Sequence, residues 1–185
     1  EKCLKTYKIK EKNLGNTISK ISTYNEIIMA GQYYYSNYDS SSIFLYKFSI
    51  NGDSLLYKEI ILNTEFEINS LVQLSENQFA LTGYNFFEPT YSHNSQIIIF
   101  NNNLEVDSII NVKTDNLGFY MDGCFLNKVN SDIILSGRKM VVLKKEIKEL
   151  TGIIKYDSLF NVINYSEIGN PDIRYYPAEI DGLNF

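Results

Sequence analysis

One glycine setting occurs three times in this chain, and it constrains the fold more than any other feature. It reads NEIIMAGQ at 25–32, NQFALTGY at 77–84 and SDIILSGR at 131–138. Glycine inside a strand costs roughly 0.5–1 kcal/mol relative to alanine, so three in one β-branched and aromatic context mark a repeated unit. Gly31, Gly83 and Gly137 stand 52 and 54 residues apart. Strand-type patterning with a period near 50 predicts an array of small sheets, as in a propeller.

Two further landmarks share the period. LYKFSINGDSLLY (45–57), IIFNNNLEVDSII (98–110) and IIKYDSLFNVINY (153–165) follow the glycines, with Ile50, Leu104 and Leu159 aligned and Asp53-Ser54 matched to Asp107-Ser108. ISKIS (18–22), SLVQL (70–74) and CFLNKV (124–129) precede them. Each unit reads as four short strands joined by tight polar turns, Asn51-Gly52 being the strongest hairpin signal. The expected fold is therefore all-β, a propeller of four-stranded antiparallel blades. Complete units are expected at 17–61, 68–113 and 122–167. Partial ones are expected at 1–10, where 4–10 resembles a last strand, and at 177–185, which resembles a first strand. A β-sandwich would not explain the period.

The glycine-bearing second strand is placed near the ring axis. There a missing side chain admits a bulky Phe or Tyr, or else marks a bulge. The partial units fit a piece of a longer protein, and open blade edges would favour self-association.

The unit order of strand, polar turn, strand with Gly, loop, strand, Asn-Gly-Asp and strand resembles bacterial β-propeller repeat proteins of the secreted and surface type, Bacteroidetes-like. It is distantly similar to quinoprotein-type blades. The resemblance implies an extracytoplasmic protein: secreted, periplasmic or attached to the cell envelope. Quinoprotein blades carry a tryptophan docking pattern, and this chain has no Trp, so their cofactor is not implied and none is expected.

Charge limits the partners. The net charge is −5, and the dense run 144–149 nearly neutralises itself, so no basic face for nucleic acid is visible. No apolar run reaches the ~18–20 residues of a membrane span. Cys3 follows Glu1 and Lys2, which do not fit a lipidation motif; Cys124 sits in an apolar strand pattern.

A ligand site is expected where the long connections gather. These are 33–39, 85–93 and 139–151 between second and third strands, and 61–68, 113–121 and 167–177 between units. Loops on a rigid scaffold concentrate function. The expected ligand-binding residues are Tyr34, Tyr35, Tyr38, Phe86, Phe87, Tyr91 and His93, whose rings beside Asn, Asp and Ser suit a carbohydrate or peptide. Packing of those rings on one another is the structural alternative. His93 is the only histidine. No triad or nucleophile elbow surrounds it, no catalytic residue is assigned, and no metal is expected. Asp53 and Asp107 read as Asx-type turn residues. Leu143, Ile147 and Leu150 fit a short amphipathic helix, and a long hairpin extension reads almost as well.

The function these readings favour is a non-enzymatic binding or scaffold propeller, its aromatic loops contacting a carbohydrate or a protein or peptide ligand. The alternative is an enzyme, a polysaccharide lyase or glycosidase, using loop carboxylates among Glu65, Glu67, Asp115 and Asp122.

Overall fold

A computed structural model describes residues 13–21, 25–34, 41–62, 65–87, 92–112, 122–129, 132–143 and 146–168. Twelve strands lie among them: β1 (Asn13–Ile21), β2 (Glu26–Tyr34), β3 (Ser41–Ser49), β4 (Ser54–Leu62), β5 (Glu65–Ser75), β6 (Gln78–Phe87), β7 (Ser92–Asn101), β8 (Val106–Asn111), β9 (Asp122–Val129), β10 (Asp132–Leu143), β11 (Glu146–Tyr156) and β12 (Val162–Ile168). They form three four-stranded sheets in the orders β1-β2-β3-β4, β5-β6-β7-β8 and β9-β10-β11-β12. Every pairing is antiparallel. The fold is all-β, a run of consecutive propeller blades.

Alternation within the strands explains the stacking. In β6 and β7, Phe79, Leu81, Ile98 and Phe100 join Ile28, Ala30, Ile43 and Leu45 in a core between the first and second blades. The intervening Ala80, Ile97 and Ile99 join Leu126, Ile133, Leu135, Ile154 and Tyr156 in a core between the second and third. Strands apolar on both faces belong in the middle of such a stack. Each fully buried Phe, Leu or Ile contributes about 1.5–3 kcal/mol.

The strands nearest their neighbours across blades are β1, β5 and β9. The innermost strand is thus the first of each blade, not the second as the sequence suggested. The glycines lie one strand further out, and Gly83 and Gly137 face the preceding blade, as Phe79 with Leu81 and Ile133 with Leu135 on the same strand faces do. A β-carbon on Gly31 would collide with the Phe44 ring; one on Gly83 would meet the Phe66 ring and the Glu67 carbonyl. Close approach of a phenylalanine, one of the two expected reasons, therefore holds for these two. A bulge ending the glycine strand is not found: beside each glycine it is the innermost strand that shifts register, between Leu14 and Thr17, between Ile68 and Ser70, and opposite the Ser136–Arg138 segment, while β2, β6 and β10 run on.

The hairpins joining third to fourth strands are three copies of one five-residue turn. They span Ser49–Asp53, Asn101–Glu105 and Asp157–Asn161. The first residue donates its N–H to the fifth carbonyl at 2.9, 2.9 and 3.0 Å. Its side-chain oxygen accepts the fifth N–H at 3.0, 3.0 and 2.9 Å. The fourth residue, Gly52, Leu104 or Phe160, has φ of 82°, 59° or 61°. This is a type I turn closed by a left-handed residue. The turns pair Gly52 with Leu104 and Phe160, so the sequence alignment of Ile50, Leu104 and Leu159 was out of step. Ser49, Asn101 and Asp157 cap the turns, while Asp107 lies within β8. The error arose because two of the three left-handed positions carry large apolar residues instead of glycine.

The 139–151 stretch is neither loop nor helix. β10 and β11 pair through Val142↔Ile147 and Leu143↔Glu146, the long-hairpin reading. β-Branched Val141, Val142 and Ile147 favour the pleated ladder over a helix. Likewise, most of 61–68 is strand: β4 ends at Leu62 and β5 begins at Glu65.

Candidate functional site

The antiparallel order sends the connections between second and third strands, and those between blades, to one end. The backbone of Tyr34 closes β2 opposite Ser41. Phe86 pairs with His93, and Phe87 with Ser92, at the matching end of the second blade. The structure thus brings Tyr34, Phe86, Phe87 and His93 to the same end of neighbouring blades. Tyr35, Tyr38 and Tyr91 lie outside the described residues, as do 1–10 and 177–185.

Polar groups are fixed at this end by the ladder itself. Glu67 on β5 pairs in register with Tyr84 on β6, and the Tyr84 hydroxyl donates to Glu67 Oε2 at 2.5 Å. Behind the pair, buried Gln32 accepts the Ile68 N–H through Oε1 at 2.7 Å, and buried Ser41 accepts the Phe66 N–H through Oγ at 3.0 Å. These two bonds cross from the first blade to the innermost strand of the second and fix Glu67 between them.

The carboxylates considered for an enzyme separate as follows. Glu65 opens β5 opposite Phe86. Asp122 opens β9 opposite Arg138, the register position that Glu67 holds in the second blade. Asp115 is outside the described residues. Sequence reasoning missed the Tyr84 hydroxyl as the partner of Glu67, because the pairing depends on the register shift between Ile68 and Ser70.

The perturbed tyrosines lie on outer strands instead. Burial, then the nearby Tyr33 hydroxyl and Glu59, pushes the Tyr57 phenol well above its ordinary value. Burial, then Glu167, does the same to Tyr165. Both donate to the carboxylate two residues on, at 3.3 Å to Glu59 and 2.7 Å to Glu167. The two Tyr-x-Glu pairs occupy matching positions on β4 and β12.

No family model matches this chain, and no curated protein does. Solved structures do. A tryptophan-to-alanine mutant of Synechocystis apocarotenoid oxygenase is 13% identical, with a TM-score of 0.53 over 86% of this chain and 40% of that one. A glutamate-to-glutamine mutant of the same enzyme is 15% identical, with a TM-score of 0.52 over 84% of this chain and 39% of that one. Its cobalt-substituted form is 13% identical, with a TM-score of 0.50 over 84% and 39%. This chain spans about two fifths of the length of the structures it matches. At this identity the likeness shows the fold.

The comparison corrects several expectations. The propellers this chain is similar to are oxygenases, not secreted or surface proteins of Bacteroidetes type and not quinoproteins. With that, the non-enzymatic binding or scaffold reading, the carbohydrate, protein or peptide ligand and the extracytoplasmic or envelope location lose their support; the enzyme alternative fares better. The physical reason is that strand period, turn residues and the packing glycine specify blade stacking, which unrelated functions share. Among the described residues no helix is long and apolar enough to cross a membrane.

A cobalt-substituted form means that the oxygenase carries a metal. This chain has one histidine and two cysteines. Among the described residues no three of His, Cys, Asp and Glu gather to hold a metal ion. The described residues therefore supply no such centre, and no step of the proposed function passes through one.

Proposed function

We propose that this chain forms three consecutive blades of a propeller enzyme of the apocarotenoid-oxygenase kind, with an apolar ligand bound at the loop end. The observation that carries the reading is the likeness to that oxygenase across all three blades, over 84–86% of the chain. The sequence units 17–61, 68–113 and 122–167 are the blade repeats in this reading, with 1–10 and 177–185 belonging to adjoining blades.

Chemistry at the loop end supports an apolar ligand. Tyr34, Tyr35, Tyr38, Phe86, Phe87 and Tyr91 supply rings that bury a hydrocarbon chain without needing polar partners. Tyr84 and Glu67 supply one fixed polar pair, suited to an oxygen function at one end of such a ligand. In this role the described residues bind, orient and exclude water.

The experiment is a titration of an apocarotenoid into the purified protein, following the polyene absorbance. A saturable spectral shift is expected. Absence of any saturable shift would overturn the reading.

A further inference from the structure

The first hairpin turn carries a reactive pair of groups that its two copies lack. Asn51-Gly52 is the one Asn-Gly dipeptide in the sequence. Asparagine deamidates when the backbone nitrogen of the next residue attacks its side-chain amide carbon, which makes it a thermolabile residue. Glycine favours the attack because it has no side chain to crowd the five-membered ring that forms. The equivalent turns serve as internal controls. Their third and fourth residues are Asn51-Gly52, Asn103-Leu104 and Leu159-Phe160. Asn51 and Asn103 are both exposed. The nitrogen after Asn103, however, belongs to Leu104, whose side chain is 1% exposed in the core between blades. It cannot swing toward Asn103 without withdrawing that leucine. The third turn has no amide side chain at this position.

The turn also restrains the attacking nitrogen. The Gly52 N–H donates to the Ser49 carbonyl at 2.8 Å, and Gly52 has a left-handed φ of 82°. Ser49 clasps the far side of the turn as well. Its N–H donates to the Asp53 carbonyl at 2.9 Å. Its Oγ accepts the Asp53 N–H at 3.0 Å and lies 3.4 Å from Asp53 Oδ2. An N–H engaged with a carbonyl is neither aimed at the Asn51 side chain nor ready to lose its proton. Attack therefore waits for the turn to open, and Ser49 decides how often it opens.

We propose that Asn51 is a site of spontaneous modification, converted by water to aspartate and isoaspartate at a rate set by the Ser49 clasp. The Gly52 nitrogen bonds to Asn51 Cγ and gives up its proton, and the side-chain amide leaves as ammonia. Water then opens the succinimide at either carbonyl. Opening at the main-chain carbonyl routes the backbone through Cγ and adds one carbon to it. That spacing breaks the Gly52–Ser49 bond, so the isoaspartate form loses the turn. The ladder begins beside this turn, with Phe48 opposite Ser54, and Leu56 beyond it packs on the first core. Modification thus loosens β4 from its hairpin end.

Incubation of the full 1–185 chain at mildly alkaline pH, followed by peptide mapping in a mass spectrometer, tests this. The comparison is with Ser49→Ala, Ser49→Asn and the free peptide 45–57, and an isoaspartyl methyltransferase identifies the isoaspartate. Asn51 should convert while Asn103 stays intact. Conversion in the folded chain should be at least about fivefold slower than in the peptide, since one hydrogen bond must break first. Ser49→Ala removes the acceptor of the Asp53 N–H and should speed conversion about fivefold. Ser49→Asn installs the cap that Asn101 provides in the second blade and should keep the wild-type rate. Amides of 52–56 should exchange faster in the isoaspartate form than in unmodified protein. Peptide-like conversion of folded wild type overturns the proposal, as does equal conversion of Asn103 or no conversion of Asn51 over a prolonged incubation. If Ser49→Ala fails to fold, Ser49→Asn decides: a peptide-like rate there also overturns it.

Discussion

Gly31 and Phe44 stand directly opposite each other across the β2–β3 ladder, and the Phe44 ring fills the space a β-carbon on Gly31 would need. The ring also packs on Tyr33, centroids 4.7 Å apart, so it has little freedom to retreat. Gly31→Ala should cost about 1–3 kcal/mol through overpacking. Phe44→Leu in the same chain should recover part of that loss, a non-additivity expected of contacting residues. Gly83→Ala should cost more, because a backbone carbonyl is among its obstacles. Urea denaturation of these three variants and of Phe44→Leu alone measures all of this.

Gln32 and Ser41 act as hydrogen-bond clamps between blades. Gln32→Met keeps the volume but removes the acceptor of the buried Ile68 N–H, for a loss of about 1–3 kcal/mol. Ser41→Ala should act similarly through Phe66. Exchange at the Ile68 and Phe66 amides should rise in the respective variants, and the loop end should loosen before the hairpin end does. Equal loosening at both ends would contradict the clamp role.

Leu104 and Phe160 share the left-handed turn position that Gly52 fills in the first blade. A left-handed non-glycine residue costs roughly 1–2 kcal/mol. Leu104 is 1% exposed in the core between blades, and truncating such a leucine costs about 2–5 kcal/mol. Leu104→Gly should therefore be destabilising on balance. Phe160 is only half-buried, against Tyr156, so Phe160→Gly should cost clearly less. Thermal melts of both variants check the order, and a reversal would refute it.

Alkaline titration should find Tyr57 and Tyr165 ionising late. Their folded values lie above the ordinary tyrosine value of 10.0. A raised value favours the neutral phenol, so the stability it contributes is present below about pH 10 and is lost as pH rises through the folded value. Tyr57→Phe with Tyr165→Phe should remove the late absorbance phase. The acid side has its counterpart in Asp157, held below its ordinary value by hydrogen bonds from Asn161, first through its side chain. Its stabilisation holds above the unfolded carboxyl value and fades as pH falls through the folded one. Asp157→Asn should keep the turn, as Asn101 does in the second blade, and abolish that fading.

How far the sequence reached can be judged residue by residue. Gly31, Gly83 and Gly137 disclosed the repeat because they recur in one local context, and at Gly31 and Gly83 a phenylalanine ring occupies the space a side chain would need. Asn51-Gly52 disclosed its hairpin because Gly52 takes the left-handed turn position. Leu104 and Phe160 hid the other two, since neither is a turn-type residue, and the alignment slipped by two residues at Ile50 and by one at Leu159. The Val142–Ile147 hairpin hid behind helical spacing because pairing is decided across the ladder. The Glu67–Tyr84 bond was not legible: it requires the register of β5 on β6, which a bulge at Asn69 resets. Function was least legible, because blade-stacking residues carry no record of what the loop end binds.

The most direct measurement is a fluorescence titration of an apocarotenoid into wild type, Tyr34→Ser/Phe87→Ser and Ile50→Ser, the last lying at the opposite, hairpin end. The expected result is saturable binding by wild type and Ile50→Ser, weakened at least about tenfold, or 1.4 kcal/mol, in the double variant. Indistinguishable binding by all three, or no saturable binding by any, would contradict an apolar site at the loop end.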